Sequence, residues 1–181
     1  VKSFFYKGNE TAVDELTPIF DLGMGHPEVL VRRPDFAEQI FQSGIVLERA
    51  YKNLNREEKA QAVVRQLVRT LPGREPSPST APPNVIRFFE KERARVAEEG
   101  TRLQLKKVGG TDCQAYLNGT AVGTEPVAVA ADEPYYMTLE CGTTQAPVWH
   151  TTLAEGEERT VPVSGADPTQ FTMESGNFQN R

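Results

Sequence analysis

The chain has 181 residues, enough for one ordinary domain or two small ones, since cores grow in units of about 100–150 residues. Its 20 Lys and Arg face 25 Asp and Glu, a formal charge of −5, the wrong sign for neutralising phosphates over a broad surface, so nucleic acid is not an expected partner. Apolar residues make up 38% with no window approaching the ~20 uncharged apolar residues of a membrane helix, and two Cys with two His fit no finger or ribbon spacing, so neither a membrane span nor a bound metal is expected.

The first residue is Val1 rather than Met, and the expectation is that a leader or a longer N-terminal region has been removed. From about Asn9 to Glu99 the apolar residues recur with helical spacing; from Leu103 to Val163 they alternate, Val, Thr and Tyr are frequent, and Gly and Pro punctuate the runs. Helices in one run and strands in another, divided near Gly100, predict an α+β chain of two modules, an N-terminal all-α repeat-like bundle and a C-terminal antiparallel all-β unit, with no parallel sheet.

A first helix is predicted over Glu10 to Leu22 with Val13, Leu16 and Phe20 inward and Pro18 kinking or shortening it. Asp35 ahead of Glu38 and Asn55 ahead of Glu58 read as N-caps of the next two helices. Phe36, Ile40, Phe41, Gly44, Ile45, Leu47 and Tyr51 form the stripe of one; Ala60, Val63, Val64, Leu67, Val68 and Leu71 form that of the other, which Pro72-Gly73 ends. The pair is expected to pack as an antiparallel hairpin. Pro72 to Pro83 is too rich in proline for helix or sheet and reads as an extended connector. A last helix, about Pro83 to Glu99, turns Val85, Ile86, Phe89 and Val96 inward and Glu90, Lys91, Glu92, Arg93, Arg95, Glu98 and Glu99 to solvent.

Leu47, Ala50, Tyr51, Ala60, Leu67 and Pro72 fall, without a gap, where the tetratricopeptide consensus places its packing residues, so Gly44 to Pro72 resembles one unit of that family. Glu48 departs from the small residue the motif wants there, and Phe4 to Gly8 with the following helix looks like the damaged end of another unit. Fewer than the ~3 repeats of a self-standing array are visible, so the unit must lean on the last helix or the β half. A plain helical bundle is the alternative. The resemblance implies a scaffold for partners, with a groove near Phe41, Tyr51 and Arg65 as the contact surface, together with exposed strand edges of the β half.

In the second half, Cys113 to Leu117 reads as a strand, Asn118-Gly119 as a type I′ hairpin turn, Thr120 to Val122 as a short strand, and Gly123 to Pro126 as a corner. With that spacing of Asn118-Gly119, Gly123 and Pro126, the segment Leu105 to Val163 resembles a PEGA domain, a small sandwich-like β module of microbial envelope and surface proteins. It departs where the family carries a Pro-Gly turn: Ala131-Asp132-Glu133-Pro134 stands there. Further strands are predicted over Val127 to Ala130, Tyr135 to Cys141, Pro147 to Leu153 and Arg159 to Val163, then an irregular tail from Ser164 in which Phe171 and Met173 add a strand only if covered.

Cys113, Ala115 and Leu117 share one parity, as do Tyr135, Met137, Leu139 and Cys141, so both sets face a core. If the two strands are antiparallel neighbours, Cys113 and Cys141 reach the same edge and can form a disulfide contributing roughly 3–4 kcal/mol, which points to an oxidising compartment. Buried free thiols in a reducing cytosol are the alternative.

No arrangement for chemistry emerges. Neither Cys follows a glycine-rich elbow or opens a helix; His26 reads as a loop residue and His150 as solvent-facing; no glycine run precedes Lys-Ser/Thr; and adjacent carboxylates such as Glu157-Glu158 diverge. Trp149 reads as filler of the core or of the boundary between modules. The expectation is a non-catalytic, cofactor-free scaffold or adaptor of the bacterial envelope or periplasm, lipoprotein or secreted, with other envelope proteins as partners. The alternative is a cell-wall glycan-binding module using Tyr116 and Tyr136. The segments run 1–72 (helical), 73–100 (connector and long helix), 101–163 (β) and 164–181 (tail).

Overall fold

The computed structural model describes residues 8–108, 113–141, 144–145 and 148–164. The layout is mixed α+β in two parts: helices α1 (Asn9–Gly25), α2 (Pro27–Leu30), α3 (Pro34–Asn53), α4 (Glu57–Thr70) and α5 (Pro83–Glu98), then strands β1 (Arg102–Val108), β2 (Gln114–Leu117), β3 (Thr120–Val122), β4 (Val127–Ala128), β5 (Tyr135–Cys141), β6 (Thr144–Gln145), β7 (Trp149–Thr151) and β8 (Glu158–Ser164). Phe4 to Lys7, Phe171 and Met173 lie outside the described residues.

The stripes predicted for α1, α3, α4 and α5 are the faces that pack together. At Gly44 of α3 a Cβ would stand 2.7 Å from Leu67 of α4 and 2.8 Å from Phe20 of α1, so three helices converge because that position has no side chain. Phe41 of α3 meets Phe89 of α5 edge-on at 5.7 Å. The last helix thus belongs to the helical core rather than to a connecting segment. The proline-rich stretch before it forms no helix or strand, yet it buries Ala81 and turns at Ser77–Thr80 instead of staying extended throughout.

Pro18 sits on the exposed side of α1, where the carbonyl it leaves unbonded meets solvent, and the helix continues to Gly25. Pro34 opens α3, which moves Asp35 from the cap into the first turn, where Arg33 holds its carboxylate below the ordinary range; Asn55 takes a left-handed φ of 56° ahead of α4 instead of capping it. Glu92 is 7% exposed, not part of the solvated face of α5.

The β half contains two sheets, ordered β4-β1-β8 and β3-β2-β5-β6, with β7 also pairing β5. All pairs are antiparallel except β1 with β8, which run parallel from Arg102↔Glu158 onward, contrary to the expectation of no parallel pairing. A parallel pair needs a crossover of about a dozen residues or more, and here the other six strands supply it. Alternation places Leu103, Leu105, Ala115, Leu117, Met137, Leu139, Leu153 and Val161 in one core, with Trp149 packed against its edge.

The β2–β3 hairpin tip is not at the surface. Asn118 (φ 46°) and Gly119 (φ 80°) take the two positive φ values of the expected turn, and Asn118 is 0% exposed. Its amide donates to the Thr70 carbonyl at the end of α4 (2.8 Å) and accepts from the Tyr136 N–H (2.8 Å), while the Gly119 carbonyl accepts from Arg74 (2.7 Å). A Cβ on Gly119 would lie 2.5 Å from the Leu30 carbonyl oxygen and 2.6 Å from the Ala37 Cβ. Gly119→Ala should therefore destabilise the protein by about 3 kcal/mol, from backbone strain plus overpacking, in urea unfolding, whereas Gly123→Ala, which meets open space, should shift stability by no more than about 0.5 kcal/mol.

Candidate functional site

The three residues expected to line a helical groove are not brought together. Phe41 is 2% exposed and locked against Phe89, so it forms core and not a contact surface; an aromatic on the inward stripe of a helix that is covered on both sides has no open face left. Tyr51 is also buried. Its hydroxyl hydrogen-bonds Thr17 of α1 (3.2 Å), and Lys59 of α4 stands over its ring, so it knits three helices together. Arg65 alone of the three lines open space, in a cleft of about 160 Å³ between α4 and α5 with Arg69, Glu92, Arg95 and Glu99.

This cleft shares Val68 and Val96 with a second one of about 260 Å³, walled by the α4 end, Pro72 to Glu75, Arg93 of α5 and, from the β half, Pro126, Val127 and Ala128. The two adjoin at Val68 and Val96, and the surface they line together, the groove, follows α4 and α5 to the edge strand β4. Its walls carry five arginines (65, 69, 74, 93, 95) against three glutamates (75, 92, 99).

Most of these charges are committed to the fold. Arg69 donates to Glu99 (3.1 Å), Glu133 (3.0 Å) and the Ala131 carbonyl (3.2 Å); burial pulls its guanidinium down, but the two carboxylates outweigh that and hold it above the ordinary range. Glu99 also accepts from the Ala131 N–H (2.8 Å), and the buried Tyr135 hydroxyl, pushed far up by desolvation, donates to the Arg69 carbonyl (2.8 Å). Arg74 pairs with Glu38, and Arg93 with Glu75 and the Arg74 carbonyl. Arg95 has only a long contact to Glu92 (3.9 Å), and Arg65 has no carboxylate partner among the described residues. Spacing Arg65 and Arg69 four apart, and Glu92, Arg95 and Glu99 three and four apart, was the one signal of this groove in the sequence; its third wall, β4, had none.

In the β half, Cys113 and Cys141 form a disulfide, as the antiparallel register Ala115↔Leu139 requires when extended by two residues. Tyr116 and Tyr136 are half-buried on the same outward face of β2 and β5, with Thr138 between them. Tyr136 stacks on exposed His150 (centroids 5.9 Å apart), and burial, then the nearby Glu140 carboxylate, raises the Tyr116 hydroxyl. His26 lies between α1 and α2, next to Glu28. Among the described residues no three His, Cys, Asp or Glu side chains converge to hold a metal, and no helix is long and apolar enough to cross a membrane.

No protein family, no curated protein and no solved structure matches the chain. The site therefore rests on its geometry.

One buried charge belongs to neither groove nor sheet. Glu48 of α3 is 1% exposed, neither carboxylate oxygen makes a well-formed hydrogen bond, and Lys52 Nζ approaches Oε1 at 3.1 Å. Burial raises its pKa, with Lys52 opposing only in part. A carboxyl raised on folding favours the native state while protonated and loses that contribution as pH climbs through its folded pKa. Glu48→Gln should therefore stabilise the protein at neutral pH, and the gain should shrink as pH falls toward the ordinary glutamate range near about 4.3, measured by urea unfolding across pH.

Proposed function

We propose that the chain is a non-catalytic scaffold whose groove between α4, α5 and β4 holds a segment of another protein. The observation that carries this is the groove itself: it joins both halves of the molecule, and each of its lobes, about 160 and 260 Å³, falls below the ~300–1,000 Å³ of a site that encloses a small molecule, a size that suits single side chains of a polypeptide. The edge strand β4 beside it offers backbone to an extended segment.

The tetratricopeptide resemblance of Gly44 to Pro72 supports a partner-holding helical half: Ala60, 0% exposed, and Gly44 sit where helices approach closely. The PEGA resemblance of Leu105 to Val163 and the Cys113–Cys141 disulfide support placement in an oxidising bacterial envelope or periplasm, as a lipoprotein or secreted protein. Ala128→Trp, which fills the wider lobe from a half-exposed strand position, should remove the proteins that the immobilised chain captures from an envelope extract while leaving the unfolding midpoint within a few degrees; capture unchanged by this variant overturns the proposal.

A second reading, cell-wall glycan binding, is favoured by Tyr116 and Tyr136 on one outward sheet face, the latter already stacked on His150. Under that reading Tyr136→Ala abolishes sedimentation with insoluble peptidoglycan; sedimentation that persists, or that the unaltered chain never shows, removes it.

A further inference from the structure

The proposal above leaves the chemistry of the bound segment open, and the distribution of charge in the groove narrows it. The chain as a whole carries −5, and the five arginines of the groove meet five glutamates, three in its walls and Glu133 and Glu38 bonded to Arg69 and Arg74, so what distinguishes the groove is where an arginine lacks a close carboxylate. A basic segment finds attraction over much of the surface and repulsion at such arginines; an acidic one finds the reverse.

Those arginines lie in one lobe. At the wider lobe Arg74 and Arg93 are tied to Glu38, Glu75 and backbone carbonyls, and the buried Val68, Leu71 and Val96 form its floor. At the narrower lobe Arg69 is engaged at all three nitrogens by Glu133, Glu99 and the Ala131 carbonyl, whereas Arg65 has no carboxylate partner among the described residues and Arg95, its side chain 70% exposed, reaches Glu92 at 3.9 Å. Two guanidinium groups with donors to spare thus face one cleft, next to an apolar lobe and an edge strand. Planar guanidinium donors bind carboxylates in bidentate fashion, so an acidic side chain is the group that completes this end.

Resting on the scaffold reading, we infer that the groove's partner is an extended acidic segment of another protein, its carboxylate taken by Arg65 and Arg95 and a neighbouring aliphatic side chain by the lobe floored by Val68, Leu71 and Val96. The pairing is solvent-edged, so its strength falls as salt rises.

The test is selection of a random-peptide phage library on the immobilised full chain, followed by fluorescence anisotropy of the enriched peptides with the unaltered chain, Ala128→Trp and the double variant Arg65→Glu/Arg95→Glu. Arg95 is exposed, Arg65 is half-exposed and neither belongs to the helical core, so the double variant is expected to unfold close to the urea midpoint of the parent. The inference expects enriched peptides that combine Asp or Glu with an aliphatic residue, bind about tenfold or more weakly to the double variant, and weaken as salt is raised. Peptides blocked by Ala128→Trp but indifferent to the double variant, or free of acidic residues, overturn the acidic partner and leave the groove reading standing. Peptides indifferent to both variants, or no enrichment at all, overturn both.

Discussion

The structure depends on one buried turn. Asn118 and Gly119 close the β2–β3 hairpin, and the same two residues are pressed into the helical half against Leu30, Ala37 and Thr70. A type I′ turn needs positive φ at both positions, which Asn and Gly supply at little cost; burial needs every polar group of the turn to be met, and the Asn118 amide does that with Thr70, Pro134 and Tyr136. Two demands that usually fall on different residues coincide here. The turn is therefore a joint between the halves as well as a corner of a sheet.

From that joint follows the rest of the boundary. With the hairpin seated, the Ala131-Asp132-Glu133-Pro134 loop lies over the end of α4, where Arg69 takes Glu133 and the Ala131 carbonyl, and Tyr135 reaches back to the Arg69 carbonyl. Ala130 is then part of the helical core. Such part-buried, multiply bonded charges contribute direction more than net stability, because desolvation offsets much of their attraction. What they fix is where β4 stands beside α4 and α5, and hence the wider lobe of the groove, which neither half could form alone.

Much of the fold could be read from the residues, and the groove could not. The stripes Val13-Leu16-Phe20 and Ala60-Val64-Leu67 repeat at helical spacing and are buried as that spacing dictates; the parity of Ala115, Leu117, Met137 and Leu139 likewise fixes one face of a sheet and aligns the cysteines. Periodicity says which side of an element is covered, not by what. Phe41 was legible as apolar and illegible as enclosed, because α5 covers it from beyond a proline-rich stretch that looked like a separator. The parallel pairing of β1 with β8 joins the two ends of the β half, a contact that no local pattern encodes. Asn118-Gly119 announced a turn correctly, while its burial depended on the shape of a surface contributed by α2 and α3.

The disulfide and the joint divide the work of holding the β2–β5 ladder. One end of that ladder is Asn118 opposite Tyr136, clamped by the helices; the other is Cys113 opposite Cys141, packed against the core of the β half. A ladder of four paired residues frays from its ends, and the cross-link closes the second of them. The groove lies on the other side of this division: β4 is held by β1 and by the bond from the Val129 N–H to the Thr101 carbonyl, at the junction with α5. Opening the disulfide would loosen the tip of the sheet before it reached the groove, so oxidation stabilises the β half while the binding surface is set by how the two halves meet.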